Sequence, residues 1–430
     1  MARKMKDSGI EWIGEIPEGW EIVPVRSCFD EVRTKNTDGQ EQNALQFKSG
    51  NIISKTNFNA SMDDYVADTI TNYTVVLPDT VMINGLNLNY DFKSLRVALV
   101  KEKGVITSAY LAIFPDRKKI FPQYATYLFK GYETKMAFHN MGAGIRKTLG
   151  YKEFKNQPLL LPSEKEQNKI SAYLDSKYSH IDIMLSKTRS SIEEYKKLKQ
   201  TVITQAVTKG IRGEREMKDS GVEWIGEIPK EWVIQKIKSI SSRINVGVVI
   251  RPSEYFDENG TVPFLRGINV KEYLISSDNM VYINESSNRI LSKSQVHTDD
   301  ILIVRDGSIG TSCVVPAEFD GANVVSMVIA TPSISCDSRF ICYSLNSDVG
   351  KTQFTLTKIG SALTHTSVSA VSDIIVAVPS CAEQKEIADY LDAKCVEIDG
   401  LIAKKEQLVK ELESYKKSLI YEVVTGKREV

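Results

Sequence analysis

Residues Met5 to Pro17 read Met-Lys-Asp-Ser-Gly-Ile-Glu-Trp-Ile-Gly-Glu-Ile-Pro, and Met217 to Pro229 repeat the phrase with Val222 for Ile10 as the only change. Chance does not produce such a match, so the chain is two copies of one plan. A second repeat agrees. Leu161 to Thr208 aligns without a gap on Val378 to Thr425, with the shared frame Pro-Ser-x-x-Glu-Gln-x-x-Ile-x-x-Tyr-Leu-Asp-x-Lys starting at Pro162 and Pro379. The period far exceeds the roughly 20–50 residues of solenoid repeats. What is duplicated is half a protein.

Each half runs in one order: short strap, variable block, long helix. Ser163 and Ser380 follow a proline and precede Glu166 and Glu383 by one helical turn, which predicts a capping box at each helix start. Gly210 and Gly426 fit the two stops. In the second helix Ile398, Leu401, Leu408, Leu412, Tyr415 and Leu419 alternate in steps of three and four, with Lys405 in one slot. The first helix matches with Ile181, Met184, Tyr195, Leu198 and Val202, diluted by Thr188 and Ser191. That spacing predicts a coiled-coil seam. Neither stripe is strong alone, so the two helices are expected to pack on each other as an antiparallel pair. At ~1.5 Å per residue, such a rod is about 65–70 Å long.

The blocks between carry strand-like runs at 73–77, 95–100 and 109–114, then at 300–305, 311–315 and 324–330. Each adds one amphipathic helical stretch, a glycine-marked turn (142–148, 360–366) and a final apolar run. The expected fold is mixed α/β, with two pseudo-symmetric globular domains joined by two long helices. The expected boundaries are a strap at 1–19, a first block at 20–161, a helical spacer at 162–213, a second strap at 214–231, a second block at 232–377 and a second spacer at 378–430. Divergent blocks on a near-identical frame point to two readers of two different things. Duplex DNA is a common partner for internal two-fold symmetry.

Composition narrows the chemistry. A chain of 430 residues, 42% of them hydrophobic, can bury proper cores. No apolar run approaches the ~18 residues of a membrane span, and no signal peptide is visible, so a cytoplasmic location is expected. Six scattered cysteines without a Cys-x-x-Cys pair read as reduced structural thiols. The 55 basic and 55 acidic residues balance, which leaves phosphate contact to charge segregation or to a partner subunit. There is no phosphate loop, no nucleophile elbow, no methyltransferase signature and no clustering of the four histidines. Pro115-Asp116 with Glu133-Thr-Lys135 resembles a nuclease pattern but is too short to carry weight. No catalytic residue, metal or cofactor is predicted. Trp12, Trp20, Trp224 and Trp232 in the straps are expected to pin each block against a helix rather than to stack bases.

The phrase Lys-Asp-Ser-Gly-x-Glu-Trp-Ile-Gly-Glu-Ile-Pro, the Glu-Gln-x-x-Ile-x-x-Tyr-Leu-Asp helix start and the ending Tyr421-Glu-Val-Val-Thr-Gly-Lys427 resemble the DNA specificity subunit of type I restriction–modification systems. The resemblance covers the whole chain. It departs at Gln205-Ala-Val-Thr-Lys-Gly210, where the first helix ends differently. It implies a non-catalytic subunit whose two blocks are target-recognition domains, each reading half of a split asymmetric DNA sequence. It also implies two methyltransferase partners, together with restriction and translocation subunits. The competing readings are a coiled-coil scaffold and a stand-alone DNA-modifying enzyme.

Base readout favours Arg or Lys at guanine and Asn or Gln at adenine. Suitable residues in expected loops are Gln46, Lys48, Asn51, the stretch Asn84 to Asn89 with Asn87, and Arg146 with Lys147 in the first block. In the second they are Arg266, Asn269, Arg305, Asp306, Ser308, Thr364 and His365. Asp306 is placed there as a residue that orients Arg305.

Overall fold

The computed structural model describes residues 3–48, 50–55, 70–92, 95–145, 147–358 and 365–430. The chain divides into two compact units, Met1–Arg189 with Gln407–Val430, and Ser190–Glu406. Each long helix, Glu164–Lys209 and Cys381–Val424, therefore gives one part to each unit. Both are mixed α/β.

In the first unit the central antiparallel sheet has the order Phe29–Glu31, Leu111–Pro115, Val81–Ile83, Val97–Leu99. Val81, Ile83, Val97 and Ile113 point into one core with Tyr124, Leu128 and Phe129 of the helix Pro122–Thr134. In the second unit the order is Ser241–Val246, Met327–Pro332, Ile301–Val304, Ser312–Val314. Here Ile301, Ile303, Val328 and Ala330 meet Phe340, Ile341 and Leu345 of the helix Ser338–Asn346. In each sheet the strands fall in the order first, fourth, second, third. Alternation of apolar residues across a pleated strand sends one set to the helix and the other to a second small core.

Each strap is a hairpin. Met5–Asp7 pairs with Glu15–Pro17, and Met217–Asp219 pairs with Glu227–Pro229 in the same register. The apolar runs before the long helices are strands, Pro158–Leu161 against Glu21–Pro24 and Ile375–Val378 against Val233–Lys236. Gly426 takes a φ of +70° at the helix stop, and a Cβ there would also meet Pro17 and Trp20. Gly210, at φ +76°, lies against Trp232 in the other unit in the same way. The expected stops are thus also packing sites for the strap tryptophans.

The expected capping boxes do not form on the glutamate side. Glu166 accepts Trp20 Nε1 at 2.9 Å and pairs with Arg3. Glu383 accepts Trp232 Nε1 at 3.3 Å and pairs with Arg215. A carboxylate offered an arginine and an indole N–H makes charge-assisted bonds in preference to folding back on its own amide. Gln167 and Gln384 complete each joint by accepting the backbone N–H of Phe121 and Asp337.

Within each unit the helical segments run in opposite directions. Asp182 pairs with Lys416 and Arg189 with Glu413 in the first. In the second, Lys199 pairs with Asp399, and Lys405 lies over the Tyr195 ring. The seam is half as expected. Ile181, Ile398 and Leu419 are buried, and Tyr195, Val202, Leu401 and Leu412 are half-buried. Met184 and Leu198 at 48% exposure, Leu408 at 39% and Tyr415 at 45% face outward instead. Leu185, Val409 and Lys416, next to three of these, turn inward, as does Ile192 beside Ser191, and the Lys416 ammonium lies over the Tyr178 ring. Both flanks carry suitable residues, and a spacing of three-four or four-three fits the same seven-residue period. Among the described residues no helix is long and apolar enough to cross a membrane.

Candidate nucleic-acid interface

The first unit gathers its candidate residues at one end of the sheet. The hairpin Leu45–Lys48/Asn51–Ser54 puts Lys48 opposite Asn51 at its tip, both exposed, with Gln46 half-buried further back. Gly50, at φ +72°, closes that tip so tightly that a Cβ would lie 3.0 Å from Leu95. Leu95 ends the loop that leaves the strand Val81–Ile83. In this loop Asn87 is exposed at φ +52°, a conformation asparagine tolerates better than most residues. The glycine turn then docks on the loop. Leu88 N donates to Lys147 O at 3.1 Å, Leu149 N to Gly85 O at 2.9 Å, and Asn89 Nδ2 to Ile145 O at 3.0 Å. Lys147 is exposed on the turn, and Arg146 lies outside the described residues.

The loop rests on Arg96, which the sequence reading did not single out. Its side chain is 1% exposed. Nη1 donates to Asn84 O and Leu86 O at 2.9 Å each, and Nη2 donates to Asp91 O. Glu133 accepts the Arg96 backbone N–H from the helix beneath. Burial pushes the Glu133 carboxyl up to about 7, against the lowering effect of that N–H and of Lys130 and Arg96. His139 Nε2 lies 3.2 Å from Asp91 O, and its ring stacks on Phe92. The one sequence signal for Arg96 is a single arginine set directly before the apolar run Val97-Ala-Leu-Val100.

The second unit makes an equivalent junction with other side chains. The loop leaving Ile301–Val304 carries Arg305, Asp306 and Ser308, the last two exposed. Arg305 Nε donates to Thr366 O and Thr366 N donates back to Arg305 O, both at 3.0 Å. Asp306 pairs with the half-buried His365 as a single β-bridge. Thr364 lies outside the described residues. Asp306 Oδ2 accepts Ser326 Oγ at 3.1 Å, so its carboxylate bonds Ser326 and not Arg305. Arg266 is half-buried and donates through Nη2 to Asn279 O. The adjoining Gly267 approaches Asp306 O, to which its Cβ position is 4.0 Å.

Asn269 is corrected from reader to scaffold. It is 0% exposed, its Oδ1 accepts Arg266 N, and its Nδ2 donates to Ser276 O and Asp278 O. Three of the amide's four bonding sites are spent on its own loop, and burial closes the fourth to a base.

Six buried side-chain atoms lack a hydrogen-bond partner among the described residues. Three, Asn89 Oδ1, Arg96 Nε and His139 Nδ1, belong to the first junction, and two, Arg266 Nε and Thr366 Oγ1, belong to the second. Native proteins leave few such buried atoms unbonded.

Residues 229–412 match the family model described as type I restriction modification DNA specificity domain. The chain is similar to the type I restriction enzyme MjaVIII specificity subunit of Methanocaldococcus jannaschii, at 24% identity over 96% of this chain and 93% of the relative. Its fold resembles a solved chain described as the structural basis underlying complex assembly and conformational transition of the type I R-M system. That match has a TM-score of 0.73 at 14% identity, covering 96% of this chain and 99% of the other. It also resembles the HsdS subunit of Thermoanaerobacter tengcongensis, with a TM-score of 0.55 at 15% identity over 99% of this chain and 100% of that one. Residues 229–412 thus carry the likeness to the type I restriction modification DNA specificity domain, and the duplicated straps and Glu-Gln helix starts repeat the same frame in the first half of the chain.

Proposed function

We propose that this chain is the non-catalytic DNA-recognition subunit of a type I restriction–modification complex. The blocks 20–161 and 232–377 are its two target-recognition domains, each reading one half of a bipartite asymmetric target. The single observation that carries this reading is the repeated junction. In each unit the loop leaving the same sheet strand binds a later segment, Ile145 to Leu149 in one and His365-Thr366 in the other, and exposed polar side chains stand at the junction: Asn87 and Lys147 in one, Asp306 and Ser308 in the other. Loops held rigid by cross-bonds can present such groups to base edges in a major groove. Their side chains differ, which suits two unlike half-sites.

The rest of the chain serves that role as a frame. The long helices form an antiparallel coiled coil between two pseudo-symmetric domains, and their outward faces dock two methyltransferase subunits. Restriction and translocation subunits complete the assembly. Two readers on one spacer contact half-sites about one DNA turn apart, roughly 34–36 Å. Inserting four residues into either helix changes the unspecified gap.

Modified-base sequencing of DNA from cells expressing the chain with its methyltransferase partner tests the reading. The expected result is a split motif of two short specified halves with a fixed gap. A single short palindrome, or no motif, would remove the two-reader model and favour a scaffold.

A further inference from the structure

We infer that Arg96 is a positioning residue for one half of DNA recognition: its buried guanidinium sets the shape of the loop 84–91 and so fixes where Asn87 and Asn89 stand. The inference rests on the proposed DNA-reading role of that loop.

An arginine that is 1% exposed is costly to bury, and the carboxylate beside it, Asp91, lies 3.7 Å away and is itself 35% exposed. Apolar residues of similar volume fill such sites at little or no cost. What an apolar side chain cannot do is donate to Asn84 O, Leu86 O and Asp91 O together, and these carbonyls span the loop from its first residue to beyond its apex. The planar fork of guanidinium suits several fixed acceptors, whereas an ammonium is a compact point donor. With the carbonyls drawn down onto Arg96, the exposed Asn87 stands at the apex and Asn89 is tied to the neighbouring turn through Ile145 O. Glu133 holds the Arg96 backbone from the opposite side, so the clamp is anchored to the helix Pro122–Thr134 and not to the loop itself. The second unit uses another device for its loops, the buried amide of Asn269, and has no part in this clamp. Loss of Arg96 must therefore act on one half-site alone.

The test expresses the full chain, wild type or Arg96→Met, with its methyltransferase partner, and reads the methylated motif by modified-base sequencing. Thermal unfolding of the purified variant is followed in parallel. The expected result is a roughly tenfold loss of base discrimination in one half-site, with the other half-site preserved and the unfolding transition still cooperative. Arg96→Lys gives the same one-sided relaxation, smaller in extent. An unchanged motif overturns the inference. So does equal decay of both halves with a lowered Tm, which marks a residue that only holds the fold. Asn87→Ala separates two kinds of failure. If it relaxes one half-site while Arg96→Met relaxes neither, the positioning role alone falls. If the wild type shows no split motif, the reading falls with it.

Discussion

Trp20 Nε1 donates to Glu166 Oε2 at 2.9 Å across 146 positions of sequence, and Trp232 repeats the bond to Glu383 at 3.3 Å. The strap and the long helix are thus locked by the two most recognisable pieces of the repeat. Glu383 is 3% exposed and Glu166 is 24% exposed, so the two joints differ in depth. Glu166→Ala is expected to cost about 1–3 kcal/mol, the penalty for stranding a partly buried donor. Glu383→Ala is expected to cost more, about 2–4 kcal/mol, because it strands the Trp232 indole N–H and leaves the mostly buried Arg215 with only the exposed Glu231 as a partner. Denaturant unfolding of both variants checks the order, and equal losses would refute the difference in depth.

Asn87→Ala and Arg305→Ala should act on different half-sites. Each removes at most one base contact, worth ~1–3 kcal/mol of discrimination. The motif read from each variant should keep the untouched half intact. Arg305 already spends Nε on Thr366 O, so its remaining guanidinium N–H groups are the ones available to a base. If Arg305→Ala leaves the motif unchanged, Arg305 is only a brace for Thr366.

Glu133 gives stability a pH dependence of defined sign. Its folded-state value of about 7 lies above the ordinary 4.5 because burial disfavours the charge. Between these values the unfolded chain has lost the proton and the folded chain keeps it. Stability therefore falls as pH rises from about 4.5 to about 7, by up to ~2–3 kcal/mol, and levels off above. Glu133→Gln keeps an acceptor for Arg96 N and removes the titration. Its stability relative to wild type should be higher at pH 7.5 than at pH 5, and a difference independent of pH would contradict the assignment.

The buried flank of the long helices can be separated from the exposed one by paired substitutions. Leu185 and Ile192 are 6% and 7% exposed. Alanine at either should cost about 2–4 kcal/mol. Met184→Ala and Leu198→Ala, on the outward flank, should change the stability of the isolated chain by less than ~0.5 kcal/mol. A loss of complex assembly without loss of stability in the second pair would mark that flank as a docking face.

Much of this was legible in one dimension. The straps, the two long helices, the stops at Gly210 and Gly426 and five of the eight strands in the two central sheets follow from repeat, period and turn chemistry, whereas Phe29–Glu31, Val81–Ile83 and Ser241–Val246 carry no such signal. The polar stretches at 84–89 and 305–308 stand in loops because polar residues lie between apolar runs. Asn269 was misjudged and Arg96 missed for the same reason. A polar side chain in a loop reads alike from sequence whether it faces solvent or carries the loop from beneath, and only burial tells the two apart.

The sequence by itself determined the duplication, the order of elements and the seven-residue phase of the helices, because each is a local or periodic property of the chain. The tertiary structure decided which flank of that phase is buried and which partners Glu166 and Glu383 take. It also decided which polar residues support the reading loops. All of these depend on residues far away in sequence, where a partner's direction and a site's depth set the free energy and no local pattern records either.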